Sequence, residues 1–395
     1  MTTSNRVLIA GAGPVGLVAA ANLVRHGVPV TVLEGGVDLS TESRASTFHP
    51  PTLDMLADLD LVQPLIAQGL VAPTFQYRNR RDGLVAKFDF GDIADQTRHP
   101  FRLQCEQSKL TRIIHDKLHG NPNFEIAFGS PVRAVAQNSD SVTVTVERDG
   151  RSETHDYRWL IGADGARSDV RRSLGIAFDG FTWPDRYLVV STPFDFYSVI
   201  PRLDPVSYLA DPVRWHFLLQ IPTLWRVMFR IAAEESDELA LSPEFAQTLM
   251  AQVVPGIERY EISHTTLYRV HQRVAHAFRS GCAFLIGDAA HVNNPLGGMG
   301  MNGGIHDAIN LTERLAQVWR GEKPDAELDR FDLQRRLVTK EHVERQSIQN
   351  KHNLEADDNE FRNFLRQTAA DPALTRDYLV KVSMIGSLRR AEQLG

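Results

Sequence analysis

The sequence predicts an α/β fold: one parallel layer, a second and mostly antiparallel β-sheet, and helices at the C-terminal end. Three observations predict it. A strand, a glycine-rich turn, a helix and a second strand follow one another over residues 6–34. An aromatic, β-like stretch fills residues 181–268, and beyond Lys323 the chain is charged and helical. The expected division is a discontinuous first domain (1–74, 101–180 and 269–345), a second domain (75–100 and 181–268) and a C-terminal helical segment (346–395).

Composition narrows the classes. At roughly 150 residues per domain, 395 residues make two or three domains with ample core. Apolar residues at 43% and charged residues at 23% exclude long disorder, collagen and coiled coil. A net charge of −6 lacks the broad basic footprint of a nucleic-acid binder. Two cysteines, Cys105 and Cys282, make neither a disulfide framework nor a metal site and fit a reducing cytoplasm. Residues 7–24 carry no charge, but Gly11, Gly13, Pro14 and Gly16 interrupt them, so no membrane span is expected.

The elements follow in order. Residues 6–10 form an apolar run ending in glycine, a buried strand. Residues 14–26, rich in Ala, Leu and Val and closed by Gly27, form a helix. Residues 28–33 are the second strand of a right-handed βαβ unit. Residues 52–59 read as a helix behind Pro50-Pro51. Phe75, Tyr77, Phe88 and Phe90 flank the Asp82-Gly83 turn, a hairpin leaving the first layer. Residues 110–118 return to helix. Val142, Val144 and Val146 alternate, Asp149-Gly150 turns, and residues 152–161 return as one strand. Residues 282–286 are a further buried strand, and 303–320 a long helix.

Gly11-Ala12-Gly13-Pro14-Val15-Gly16 is G-x-G-x-x-G between a strand and a helix. Gly11 permits the tight turn, Gly13 lets the backbone approach a pyrophosphate, and Gly16 lets the helix pack closely. The helix N-terminus offers free N–H groups to phosphate. Glu34, 23 residues after Gly11, accepts from a ribose hydroxyl pair and repels a 2′-phosphate, which leaves FAD or NAD.

Two further motifs bear on that choice. Residues 160–171 read LIGADGARSDVR. Residues 284–291 read FLIGDAAH and continue as PLGGMGMNGGIHDA over 295–308. With the first turn, in this order, they resemble the flavin-dependent aromatic hydroxylases, the single-component monooxygenases related to p-hydroxybenzoate hydroxylase. Residues 268–307 are most similar to the phenol and 3-(3-hydroxyphenyl)propionate hydroxylase branch. The resemblance implies a Rossmann-like FAD-binding domain, FAD as cofactor and NADH or NADPH as co-substrate. It also implies O2-dependent hydroxylation of a phenolic or other electron-rich aromatic compound through a C4a-hydroperoxyflavin.

Site residues follow from the motifs. Asp288 ends a buried strand, where open α/β sheets bind ligands, and accepts from a ribityl hydroxyl. Gly297, Gly298 and Gly300 let backbone approach a flat ring, and a helix starting near Gly300 aims its positive end at the reduced flavin. The expected cofactor residues are therefore Gly11, Gly13, Pro14, Val15, Gly16, Glu34, Asp288, Pro295, Gly298, Met299, Gly300, Met301 and Asn302. The resemblance adds Arg44, Gln107 and Asp164, with Arg171 as a phosphate partner. The alternative for Arg167, Arg171 and Arg172 is a solvated helix face. Thr111 stands where the family often has Glu, so Gln104 competes with Gln107. Asn302 and Asp307 fix the turn and helix start, and His291 reads as scaffold.

The resemblance sets Pro295 beside flavin and substrate. Tyr208, Trp215, His216 and Trp225 are the substrate candidates, no general base is identified, and no metal is expected. Expected partners are a small aromatic substrate and O2, with no nucleic acid and a monomer or homodimer. A flavin reductase or dehydrogenase without oxygen insertion is the alternative. A flavin halogenase is another: WHFLLQIP over 215–222 echoes W-x-W-x-I-P without its second Trp, and Lys87 is the only lysine before Lys109. A non-enzymatic relative would not need Asp288 and its glycine loop. Larger hydroxylases of that branch carry a thioredoxin-like domain, which a chain of this length is expected to lack.

Overall fold

The computed structural model describes residues 4–395, apart from 43–44, 81, 212–213 and 357–358. Four short strands, Phe124–Ala127, Val30–Leu33, Val7–Ala10 and Leu160–Gly162, lie parallel side by side, the last three almost wholly buried and Phe124–Ala127 partly exposed at the edge. Ala283–Leu285 continues the parallel order, and Arg279–Ser280 closes the edge antiparallel. Such strands read as continuous apolar runs because helices cover both faces. The turn helix (Pro14–Arg25) packs along a 21-residue helix, Met299–Trp319, where Asn22 Nδ2 donates to Thr312 Oγ1 at 2.8 Å.

An eight-stranded sheet forms the second layer. Its centre is the 15-residue strand Phe178–Thr192, paired with His264–Ala275 and Trp225–Ile231. The order continues through His216–Gln220 and Val206–Ala210 to the hairpin Thr74–Asn79 and Gly83–Asp89. All pairs are antiparallel except Val206–Ala210 with Thr74–Asn79, so the expected hairpin becomes the sheet's edge. Both faces are covered. Trp225, Val227, Phe229 and Ile231 point into one cluster with Leu249 and Met250 of the helix Pro243–Val253. Tyr77, Tyr208, Trp215 and Met228 point into another, under the C-terminal helices.

Two expectations change. Residues 152–161 are two strands in two sheets rather than one. Arg151–Tyr157 is largely exposed and pairs back on Val142–Arg148, while Leu160–Gly162 is fully buried in the parallel sheet. Polarity decides the split, with the buried Trp159 between them and Arg158 4.1 Å over its ring. The second layer also contains a helix, Pro243–Val253, started by Ser242 Oγ accepting from Phe245 N. Among the described residues, no helix is long and apolar enough to cross a membrane.

Candidate functional site

The three motifs meet at the C-terminal edge of the parallel sheet. Gly11 has φ of +104°, and a Cβ there would lie 2.4 Å from the carbonyl oxygen of Ala163 in the second motif. A Cβ on Gly16 would lie 2.1 Å from the carbonyl oxygen of Gly11. Gly304 packs on Val15 of the first motif and Gly287 of the third. These contacts force strand, turn and helix together with no side chain between them.

The turn fits a dinucleotide. No side chain caps the helix at Gly13, so its first N–H groups stay available, and a Cβ on Gly13 would meet nothing within 4 Å. Glu34 spans the turn: Oε2 accepts from Ala12 N at 2.7 Å and Oε1 from Gly36 N at 2.8 Å. Each carboxylate oxygen keeps a second lone pair.

The ring loop is built on a tight turn. Gly298 N donates to Pro295 O at 2.9 Å, and Gly297 (φ +97°) and Gly298 (φ +66°) take conformations that side chains resist. Gly298 starts the helix Met299–Trp319 with no side-chain cap and no acid in the first turn. The N–H groups of Met299, Gly300 and Met301 therefore face outward as a positive edge suited to an electron-rich ring. Asn302 holds this loop by its side chain. Its Nδ2 donates to Thr47 O and Gly298 O, and its Oδ1 accepts from His49 N. The His49 ring donates from Nε2 to Gly297 O at 2.7 Å.

Beneath the loop lies a buried charge network. Asp307 accepts from Arg335 Nε at 2.7 Å, from His291 Nε2 at 2.7 Å and from Gly287 N at 3.1 Å. Burial pushes the Asp307 carboxyl up, but His291 and Arg335 outweigh it and hold it below its ordinary value. The network pins the backbone that presents Asp288, which is exposed on the turn after the strand Ala283–Leu285.

Asp164 caps a short helix by accepting from Val170 N at 3.0 Å, and burial raises its pKa. Arg171 is not free for phosphate, and neither is it a solvated face. It is 5% exposed, donates to Ala289 O and Ala166 O at 2.8 Å each, and lies 3.8 Å over Phe178. It clamps the second motif to the third. Gln107 begins the helix Gln107–Leu118, whereas Gln104 is fully buried, with Oε1 on Thr47 Oγ1 and Nε2 without a partner. Arg44 lies outside the described residues.

Beyond Gly297 and Met299 a cavity separates the ring loop from the aromatic sheet. Phe75, Tyr77, Tyr208 and Arg102 line one side, and Gln346, Asn350 and Val382 of the C-terminal helices line the other. Tyr77 stacks on Tyr208 at 5.1 Å, and its hydroxyl meets that of Tyr378 at 3.0 Å. Burial pushes both phenols up, Tyr378 to about 12.

The cap helix Arg345–Ala356 is held by ions. Asp185 accepts two bonds from Arg230 at 3.0 Å each and pairs with Lys351 at 3.1 Å. Lys351 also pairs with Glu355, and its ammonium stands 4.6 Å over Trp183. Asn350 reaches Leu296 O of the ring loop at 3.3 Å.

Of the four substrate candidates, only Tyr208 lines this cavity. Trp215 is 1% exposed and packs edge-on against Tyr187. His216 and Trp225 are buried by strand alternation. Trp225 joins the cluster on the sheet's other face, and burial lowers His216 to about 4. Lys87 pairs with Asp204 at 2.9 Å, outside the cavity lining. Sequence reasoning placed Phe75 and Tyr77 in the hairpin without making them substrate candidates, and it missed Arg102, Gln346, Asn350 and Val382. Only Arg102 left a signal, a charge inside the short buried strand Arg102–Gln104.

Comparison with known proteins bears on this arrangement. The family model of the FAD binding domain matches residues 4–346. Para-nitrophenol 4-monooxygenase of Pseudomonas sp. (strain WBC-3) is 32% identical over 402 aligned positions, covering 100% of this chain and 99% of the relative. The 6-hydroxy-3-succinoylpyridine 3-monooxygenase of Pseudomonas putida (strain DSM 28022 / S16) is 35% identical over 359 positions, 90% of each chain. Among solved structures, p-nitrophenol 4-monooxygenase from Pseudomonas putida DLL-E4 superimposes with a TM-score of 0.91 at 30% identity, covering 97% of this chain and 99% of that one. Aklavinone-11 hydroxylase, solved with FAD and aklavinone, gives 0.76 at 25% identity over 90% and 69% of the two chains.

Proposed function

Since the chain belongs to the FAD-dependent aromatic hydroxylase family, we propose that it uses NADH or NADPH and O2 to hydroxylate a small phenolic or other electron-rich arene. The observation that carries this reading is the cavity beside Gly297 and Met299, walled by Phe75, Tyr77 and Tyr208. These three rings stand next to the loop suited to a flavin ring, with Arg102, Gln346 and Asn350 as the polar part of the lining. The two relatives matched over nine-tenths or more of their length are named for oxygenation of a nitrophenol and a hydroxypyridine.

FAD, once bound, supplies the electron transfer and oxygen activation that side chains cannot. In this reading the N–H groups of Val15 and Gly16 hold the pyrophosphate and Glu34 the adenosine ribose. Asp288 holds the ribityl chain, and the N–H groups of Met299, Gly300 and Met301 hold the electron-rich ring edge. Gly297 and Met299 of the ring loop face the substrate, while Pro295, exposed at the start of that loop, is outside the cavity lining. Asp164, on the neighbouring rim, lies towards the nicotinamide donor. The aromatic wall and the C-terminal helices exclude water, and the neutral Tyr77–Tyr378 pair leaves one hydroxyl hydrogen free to donate to a substrate oxygen. Buried Cys105 and Cys282, both unpaired, support a reducing cytoplasm.

The test is a screen of phenols for stimulated NAD(P)H oxidation under labelled oxygen gas, with mass spectrometry of the product. One labelled atom per product is expected. Turnover without O2 overturns the reading in favour of a reductase or dehydrogenase, and product oxygen drawn from water overturns it as well.

A further inference from the structure

Among the described residues, two buried arginines pair with no acid and no carbonyl group: Arg226, which donates to Ser46 Oγ at 2.9 Å, and Arg102. Arg102 is 3% exposed, yet among the described residues no carboxylate pairs with it. Its one hydrogen bond runs from Nη1 to the Tyr208 hydroxyl at 3.4 Å, and its Nε is buried without a partner. Arg335, equally buried, has Asp307; Arg186 has Asp237; Arg171 has two carbonyl groups. Phe75 and Phe90 lie 4.7 and 5.4 Å from the Arg102 guanidinium and 5.5 Å from each other, so both rings sit on one side of it. That residue lines the cavity next to Gly297 and Met299.

A guanidinium keeps its charge, and a buried charge without a counter-charge is costly to the folded chain. Rings relieve part of that cost. A forked donor with spare N–H groups matches a pair of oxygens or one anionic oxygen. Resting on the function proposed above, we propose that Arg102 recognises the substrate's anionic oxygen. The enzyme then takes small arenes as their phenolate or carboxylate, with the ring against Tyr77 and Tyr208 and the oxygen on Arg102. The substrate supplies the counter-charge, so a neutral ring of the same shape leaves Arg102 unsatisfied and binds less well.

The experiment measures equilibrium binding by calorimetry to the FAD-loaded protein at pH 8. It uses two matched pairs, 4-nitrophenol with 4-nitroanisole and 4-hydroxybenzoate with 4-hydroxybenzamide. The first pair isolates a phenolate and the second a carboxylate. Wild type is expected to prefer the anion of at least one pair by about ten- to a hundredfold, the range of a charge-assisted buried hydrogen bond. Arg102→Met keeps an apolar stem against the rings and is expected to abolish that preference while changing the neutral partner's affinity less than threefold. Arg102→Lys keeps the charge without the fork and is expected to fall between the two. FAD content of each variant reports folding. If Arg102→Met does not fold, the wild-type and Arg102→Lys preferences decide.

Equal wild-type affinity for both members of both pairs overturns this inference, and so does an equal loss for anion and neutral ring in Arg102→Met. If neutral arenes are oxygenated as well as anionic ones, the hydroxylase reading stands and this one falls. If no arene of either charge binds, both fall.

Discussion

Around Gly11, Gly16 and Gly298 the surface suited to a cofactor is main chain, shaped by glycines that let neighbouring segments approach as close as a missing Cβ allows. Around Arg102 the surface suited to a substrate is side chain, contributed by residues as far apart as Phe75 and Val382. The charges beneath them differ as well. Under the ring loop Asp307, Arg335 and His291 close on one another in full burial. Beside the cavity Arg102 pairs with no acid among the described residues, and the cap helix hangs on Lys351 and Asp185. Under the ring loop the buried arginine has its counter-charge in Asp307, whereas on the substrate side Arg102 awaits one.

Acid should strain that contrast most. Burial lowers His306 to about 3 and holds His49 well below its ordinary value, both under the ring loop; His216, in the substrate sheet, is lowered to about 4. The unfolded chain takes up these protons near pH 6.5 while the folded chain refuses them. Stability is therefore complete above pH 6.5 and is lost as pH falls towards 4, by about 1.4 kcal/mol per pH unit for each histidine. With two of the three under the loop, flavin release should precede loss of far-UV ellipticity as pH drops. Simultaneous loss would show that the two sides unfold as one unit.

Asp307→Asn breaks the flavin side directly. It leaves Arg335 charged and unpaired in full burial and should cost about 3–5 kcal/mol by denaturant unfolding. A change under 1 kcal/mol would mean that water replaces the lost partner.

Asp288→Ala touches the same side at its exposed rim. It should raise the FAD dissociation constant about ten- to a hundredfold, the worth of a hydrogen bond to a charged group, with little effect on the stability of the cofactor-free protein. An unchanged constant would reduce Asp288 to a structural part of its turn.

Lys351→Met probes the substrate side and should give the smallest loss. Asp185 keeps Arg230, so the expected cost is about 1 kcal/mol. The larger consequence should be functional: weaker arene binding and more hydrogen peroxide released per NAD(P)H oxidised, measured by peroxide assay. Tight coupling in this variant would show that the cap helix holds without its ions.

The same contrast explains what the sequence made legible. Backbone sites announce themselves locally, because the glycines and acids that make them are neighbours in the chain. The turn at Gly11, the motif at Asp164 and the loop from Asp288 to Asn302 were all readable, and the structure brings them together. Side-chain sites assemble from distant segments. Trp215, His216 and Trp225 were reasonable aromatic candidates, but strand alternation and packing bury them away from the cavity. Gln346 and Asn350 sit in a charged helical stretch with nothing to distinguish them. Arg171 matched a phosphate-binding pattern and instead spends its donors on Ala289 and Ala166.

The order of strands in the parallel sheet also bears on how the protein is made. Val7–Ala10 finds its partners at Val30–Leu33 and Leu160–Gly162, and the latter pairs in turn with Ala283–Leu285. Asn22 on the turn helix waits for Thr312. At roughly 5–20 residues per second, about 15–60 seconds of synthesis separate these two residues. The hairpin Thr74–Asn79 and Gly83–Asp89 closes from local contacts long before that. The layer whose first strand emerges earliest is thus among the last to close, and a nascent chain would hold its dinucleotide turn half-built, unable to retain cofactor, until the helix Met299–Trp319 has left the ribosome.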